Sequence, residues 1–366
     1  MERRLKAIKA ESSPPPGIAA PSEKTAAQAE MFGNRLKKRR RFLSKWAFRA
    51  GVEAYRLYDR DIPEIPLVLD WYGPPENGPA LAGALYKRPY EKEEAEERLW
   101  LGAMKAAASR ALDIPPDRIF LKEREHRRGG LPCGGQEDRR FLMDINEGKL
   151  RFRVNLSDYL DTGLFPDRRK MRALAGEEAP GKRVLNLFCY TASFSVCAAA
   201  GGAAELDSVD MSNTYLAWGL ENFRLNGLAA EKVSAETLLA RPESRGLPPF
   251  RFIRADVLSF LEKALKAKRR WDLVILDPPG FSNSKKMRGD FDLKRDHPAL
   301  LEKCAKLLEP GGTLYLSASV KGFRLDGEAF TRPAGALRIE DITEKLRDPD
   351  FRDRRIPSAY RIRRVT

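Results

Sequence analysis

The sequence predicts an α/β protein: a doubly wound, mostly parallel sheet preceded by a smaller α+β domain. Three observations carry that expectation. Between residues 183 and 226, an apolar strand, a turn of small residues, a helix, a strand ending in a carboxylate and a second helix follow one another. From residue 251 to 317, strands and helices go on alternating. Before residue 160 the pattern changes to short strand-like runs separated by Pro and Gly. Alternating strands and helices make a parallel sheet covered on both faces, with ligands held at the carboxyl ends of its strands.

With 366 residues the chain is long enough for two domains, each with its own core. At 42% hydrophobic and 33% charged it reads as globular. We find no apolar span of transmembrane length and no charged-then-apolar leader, so a cytoplasmic protein without a membrane partner is expected. Cys133, Cys189, Cys197 and Cys304 show no CxxC spacing, so neither a disulfide framework nor a metal site is expected. The net charge of +15 makes a positive surface field, which attracts nucleic acid or anionic membrane. Many basic proteins use such charge only for solubility, but here the charge is clustered, which favours nucleic acid.

Residues 1–30 carry Ser12-Ser13-Pro14-Pro15-Pro16 and few large apolar groups, the composition of a flexible arm. Residues 31–160 form the expected RNA-binding α+β domain. It opens with a helical stretch bearing Arg35, Lys37, Lys38, Arg39, Arg40, Arg41, Lys45 and Arg49 and no acidic residue among them. Phe42, Leu43, Trp46 and Phe48 supply its expected apolar face. The cations read as phosphate contacts to RNA, and otherwise as a solvated helix face. Strand-like runs follow at Ala54–Tyr58, Leu67–Trp71 and Leu81–Tyr86, then a helix at Glu91–Leu112 and a strand at Ile119–Lys122. Arg124–Gly135 is basic and glycine-bearing, the mark of a loop. Phe141–Ile145 and Leu150–Leu156 form a hairpin around Glu147-Gly148.

Residues 161–366 make the second domain. Its entry, Asp158 to Arg169, is dense in Gly, Asp and aromatic residues, which suits either a loop over a ligand or an interdomain linker. Val184 to Phe188 is the first buried strand, Phe194–Ala200 a helix stopped by Gly201-Gly202, and Leu206–Val209 a strand ending at Asp210. A helix at Asn213–Leu225, a strand at Arg251–Arg254, a helix at Val257–Lys268 and a strand at Trp271–Leu276 continue the alternation. Helix Pro298–Leu308, turn Glu309–Gly312 and strand Thr313–Ser317 complete it.

Asp210, Asp256 and Asp277 stand at three successive strand ends. One acidic strand end is weak evidence, but three in register are strong. A carboxylate at the second strand accepts two hydroxyl hydrogen bonds from a ribose diol, and one at the third suits an adenine amino group. Pro278-Pro279 makes a rigid, donor-poor wall for a flat base, with Phe281 and Asn283 nearby. The first turn has no glycine between Asn186 and Ala200, which counts against a dinucleotide pyrophosphate.

Several stretches then carry a specific resemblance: Asn34-Arg35-Leu36, Tyr55 to Asp59, Asn155 to Phe165, Asn186-Leu187-Phe188 and Val209 to Ser212. They continue with Asn226-Gly227-Leu228, Asp277-Pro278-Pro279, Phe281 to Lys285 and Lys321 to Arg324. The second domain is similar to a class I S-adenosylmethionine methyltransferase with a Rossmann-like sheet. From Met31 to the C-terminus the chain resembles the guanine-N7 methyltransferase half, the K part, of the bacterial 23S rRNA RlmKL enzymes. The guanine-N2 methyltransferase half of those enzymes has no counterpart here, and Ala192 stands where such turns often carry Gly.

The resemblance implies S-adenosyl-L-methionine as cofactor and 23S rRNA, or a large-subunit assembly intermediate, as partner. It implies that Phe188, Tyr190 and Thr191 line the methionine side and that Asn186 belongs to the same cofactor site. Asp210 would hold the ribose, Met211 would pack on adenine, and Asp256 with Val257 would face the base. Asp277, Pro278 and Pro279 would form the catalytic loop, while Phe165 and Arg168 would close the site. Arg35, Lys37–Arg41, Phe281, Asn283 and Lys285 would contact RNA.

The chemistry agrees with the residues. Methylating cytosine C5 needs a cysteine nucleophile, and Leu314 to Ser319, the strand after Asp-Pro-Pro, has none; Cys304 reads as core. Guanine N7 has an in-plane lone pair and needs only orientation and exclusion of water. His126 and His297 are the only histidines, and His297 reads as structural or RNA-contacting rather than catalytic. The alternatives are another base atom, cytosine C5 or an exocyclic amine, or an inactive RNA-binding assembly factor.

Overall fold

Two sheets, one in each half of the chain, are joined by a hairpin that packs between them. The structure is a computed structural model and describes residues 22–74, 78–86, 93–123, 140–159, 161–241, 244–282, 290–327, 336–351 and 357–365. Helix α1 (Glu23–Ala50) starts where the Ser22 hydroxyl accepts the Thr25 amide, and stops at Gly51 in the left-handed region. It thus begins at Glu23, inside the expected arm. Its buried face is Phe32, Leu36, Leu43 and Ala47, at helical spacing. Phe42 and Phe48, expected on that face, are 55% and 88% exposed. Each residue turns about 100° around the helix, so the neighbour of buried Leu43 points elsewhere.

Strands β1 (Ala54–Asp59), β2 (Leu67–Tyr72) and β3 (Ala80–Leu85) pair antiparallel in order. Helix α2 (Glu94–Leu112) then crosses over to β4 (Ile119–Glu123), which lies parallel to β3. Helices α1 and α2 cover one face, closing a core of Phe32, Leu36, Tyr55, Leu69, Trp71, Trp100 and Met104. On β3, Leu81 and Leu85 join that core. The alternate residues Ala80 and Ala82 face the other way, into a core shared with the second half. Their small side chains suit close approach by the hairpin β5 (Leu142–Glu147) and β6 (Leu150–Asn155).

The second half runs α3 (Arg169–Glu178), β7 (Arg183–Leu187), α4 (Ser193–Ala200), β8 (Glu205–Asp210) and α5 (Asn213–Leu225). It continues with β9 (Glu231–Lys232), α6 (Ala235–Leu239), β10 (Phe250–Arg254), α7 (Val257–Lys266) and β11 (Trp271–Leu276). The short pair β12 (Phe281–Ser282) and β13 (Phe291–Asp292), α8 (Leu293–Lys306), β14 (Leu308–Ala318), β15 (Leu337–Asp341) and β16 (Ser358–Arg364) complete it. The eight-stranded sheet has the order β15-β16-β14-β11-β7-β8-β10-β9, parallel from β14 to β9. Antiparallel β16 and β15, which the alternation did not predict, extend it. Along β11, Leu273 and Ile275 enter one core while Val274 and Leu276 enter the other, as expected of a strand covered on both faces.

Two local differences have clear causes. Helix α8 begins at Leu293 rather than Pro298, with Asp292 as its cap. Pro298 has no N–H for the Lys294 carbonyl, and the His297 ring Nδ1, 3.0 Å away, bonds that carbonyl instead. The expected turn Glu309–Gly312 lies inside β14: pairing to β11 passes from Leu308 directly to Thr313, leaving the turn as a bulge. Among the described residues, no helix is long and apolar enough to cross a membrane.

Candidate active site

The parallel register aligns the loops that sequence reading singled out. Leu276 pairs with Leu187, Leu187 with Val209, and Val209 with Ile253. Asp277, the loop 188–192, Asp210 and Asp256 therefore follow one another along one edge of the sheet. At about 4.8 Å per strand, Asp277 to Asp256 spans about 14 Å, the length of an extended amino-acid–nucleoside ligand.

The loop after β7 is strained. Phe188, Tyr190 and Ala192 take φ of 56°, 50° and 60°, left-handed values that cost non-glycine residues on the order of 1 kcal/mol each. Surrounding bonds hold it there. The Tyr190 amide donates to Asp210 Oδ2 at 3.0 Å, the Thr191 hydroxyl to the Gly163 carbonyl at 2.6 Å, and Asn222 Nδ2 to the Thr191 carbonyl at 2.8 Å. Gly163 has φ +93°, and a Cβ there would lie 2.3 Å from the Trp218 ring. No other residue fits between the entry loop and α5. The loop is thereby tied to residues 163–168, and Phe165 meets Tyr190 with ring centroids 5.4 Å apart; Tyr190 in turn meets Tyr215 at 4.5 Å.

Beside the Phe165 ring lies a buried ion pair. Arg168 Nε donates to Asp277 Oδ2 at 2.6 Å, and its other nitrogens bind Asp167 and the Ser319 hydroxyl. The guanidinium also lies 4.4 Å over the Phe165 ring. Asp277 Oδ1 is buried and without a hydrogen-bond partner. Such an oxygen, on a carboxylate whose Arg168 partner lies over the Phe165 ring, is suited to a polar or cationic ligand group. Asp210 receives the Tyr190 and Ser212 amides, yet burial outweighs them and raises its pKa above 3.8.

The sequence profile of the S-adenosylmethionine-dependent methyltransferases matches residues 81–355. The chain belongs to this family. A Neisseria meningitidis protein named ribosomal RNA large subunit methyltransferase K is 40% identical, the alignment covering 91% of this chain and 86% of that one. A Pseudomonas putida ribosomal RNA large subunit methyltransferase K/L is 42% identical over 91% of this chain, which spans only 42% of that relative's length. Among solved structures, a methyltransferase complexed with SAH superposes with a TM-score of 0.68 at 21% identity, covering 92% of this chain and 81% of that one. An Agrobacterium tumefaciens SAM-dependent methyltransferase gives 0.51 at 20% identity, covering 82% and 87%.

S-adenosylmethionine is the cofactor of this methyltransferase fold, and the cleft fits it. Asp210 could accept the hydroxyls of a ribose diol, Tyr190, Tyr215 and Phe165 could offer flat surfaces, and the orphaned Asp277 oxygen could serve as an acceptor. Three residues expected at the cofactor have side chains engaged by the protein itself. Thr191 is fully buried on Gly163, Asn186 Nδ2 binds Ser195, and Val257 sits in the core. Their side chains hold the loop and its flanking helices, so any contact they make is through backbone. Asp256 uses one oxygen to cap α7 by accepting the Ser259 amide at 2.9 Å, and Met211 is half-buried beside it in the sheet order. Pro278 is buried, whereas Pro279 and Phe281 are exposed.

Among the expected RNA contacts, Arg39 is corrected outright. It is 4% exposed, with Nε on the Leu57 carbonyl and Nη2 on the Asp350 carbonyl, and so joins the two halves of the methyltransferase. Arg35 pairs with Asp61 at 2.6 Å and Arg40 lies 4.1 Å over Trp71. Lys37, Lys38 and Arg41 are exposed. Asn283, Lys285, His126, Cys133 and the loop 124–135 lie outside the described residues.

Sequence reading missed Tyr215, Ser319 and Trp218. An aromatic in the first turn of the helix after an acidic strand end was the available signal for Tyr215; nothing local marked the other two. Cys189, Cys197 and Cys304 are all buried, and burial pushes each thiol upward, Cys197 to about 12. His297 accepts the Asp326 amide at Nε2 and gives Nδ1 to helix carbonyls, a structural role.

Proposed function

We propose that the chain methylates 23S rRNA at guanine N7. The observation that carries the reading is the 40% identity to a ribosomal RNA large subunit methyltransferase K over 86% of that protein. The site supports the atom. Among the described residues no cysteine is accessible, and each buried thiol is held protonated, which disfavours covalent activation of a pyrimidine. S-adenosylmethionine supplies an electrophilic methyl group when bound. The chain's own residues then orient and exclude water: Asp210 holds the ribose, Phe165 with Tyr190 closes the cleft, and Pro278-Pro279 shapes the wall beside the acceptor base. N7 needs no proton removed, and no histidine serves the site among the described residues. The unpartnered Asp277 Oδ1 also suits an exocyclic amine, whose N–H it would accept; that is the second reading.

The deciding experiment is mass spectrometry of 23S rRNA nucleosides, mapped to position, from cells with and without the gene. Loss of one 7-methylguanosine is the expected result. Persistence of 7-methylguanosine with loss of an N-methylated amine would select the second reading. No change in any base would leave a role in assembly alone.

A further inference from the structure

Among the described residues, three of the exposed large apolar side chains stand on one helix: Met31 at 46%, Phe42 at 55% and Phe48 at 88%. Along the same helix run Lys38, Arg41, Lys45 and Arg49, spaced by three or four residues and so on one face over about 16 Å. None of these four cations has a carboxylate partner among the described residues, and no acidic residue occurs between Arg35 and Arg49. Of the remaining cations of the run, Lys37 is exposed as well, whereas Arg39 turns into the domain junction, Arg40 onto Trp71 and Arg35 onto Asp61. The two sets have separate duties.

We propose that the outward face of α1, centred on Lys45 and Phe48, is a docking surface for a single-stranded segment of RNA, the cations meeting phosphates and Phe48 stacking on a base. This rests on the reading that the substrate is RNA, and goes beyond it in naming the surface. A cation row alone would suit any polyanion. An almost fully exposed phenylalanine amid it adds what an unpaired base needs, a flat apolar platform beside phosphate-binding charge. A membrane helix would gather its apolar residues into one contiguous face, whereas here they are separated by cations. The helix also connects to the cleft: Trp46, from its other side, lies 5.2 Å under Arg169, whose neighbour Arg168 holds Asp277.

The test is binding of a short single-stranded RNA to the full chain at several salt concentrations, with cofactor affinity by calorimetry as the check of folding. Phe48→Ala should weaken RNA binding about tenfold with an unchanged salt slope, and Phe48→Trp should hold wild-type affinity. Lys45→Ala with Arg49→Ala should lower the slope of log affinity against log salt by about 1.4, two phosphate contacts' worth. All variants should bind cofactor as wild type does. Unchanged RNA affinity and slope in both variants would overturn the proposal. So would Phe48-dependent binding to phosphatidylglycerol vesicles with RNA binding intact, or Phe48-dependent self-association in sedimentation. A positive result with unaltered 7-methylguanosine in cells would sink the proposed reaction and leave this surface standing.

Discussion

Replacing Arg168 by Ala tests the most interdependent contact in the cleft. Arg168 and Asp277 side chains are 9% and 13% exposed and 2.6 Å apart. Removing one member of a buried pair leaves the other charge desolvated, which costs about 3–5 kcal/mol. Asp277 Oδ1 already lacks a partner, so Arg168→Ala would leave both oxygens unbonded. The guanidinium's contact over Phe165 would add about 0.5–1 kcal/mol to the loss. Because both side chains keep some exposure, the lower part of the range applies, and we expect about 3 kcal/mol in urea unfolding followed by tryptophan fluorescence. Adding Asp277→Asn should recover about 2 kcal/mol, since a neutral amide tolerates the vacant site better than an unpaired carboxylate. Cofactor affinity should fall in both single variants. A loss under about 1 kcal/mol for Arg168→Ala, or strict additivity in the double variant, would refute a buried, coupled pair.

Three further outcomes follow from the same geometry. Burial raises the Asp210 pKa above 3.8, so its folded state favours the proton: its contribution to apo stability is present below the ordinary value and is lost as pH rises through the raised one. Ribose binding needs the ionised form, so cofactor affinity should fall as the pH drops through the raised value, and calorimetry on Asp210→Asn should show no such dependence. Gly163→Ala places a methyl 2.3 Å from the Trp218 ring at φ +93°, and should cost about 2–3 kcal/mol together with cofactor affinity; unaltered binding would mean the entry loop does not close the site. Cys304→Ala removes a fully buried thiol from the core and should leave the rRNA modification intact in complemented cells; its loss from a folded variant would restore a covalent route.

Much of the fold was legible because its signals are local. A strand such as Trp271–Leu276 is one uninterrupted apolar run, and Asn213–Leu225 is bounded by a serine cap and Asn226-Gly227, so both appear where the sequence places them. Acidic residues at strand ends were visible for the same reason, and the parallel register sets them along one edge. The antiparallel strands β15 and β16 escaped notice because their stabilising partners lie in distant strands rather than in their own pattern.

Sequence alone determined the residue types available to the site: three carboxylates, a Pro-Pro wall, an aromatic-rich turn and a surplus of cations. Tertiary structure decided what each one does. Eight similar cations from Arg35 to Arg49 are indistinguishable by composition, yet helical phase turns Arg39 into the domain junction and leaves Lys38 and Lys45 outside. Thr191 closes on Gly163, 28 residues away, and Arg168 on Asp277, 109 residues away. Whether a polar side chain meets ligand or protein depends on which other group reaches it first, and that is settled by packing between segments far apart in the chain.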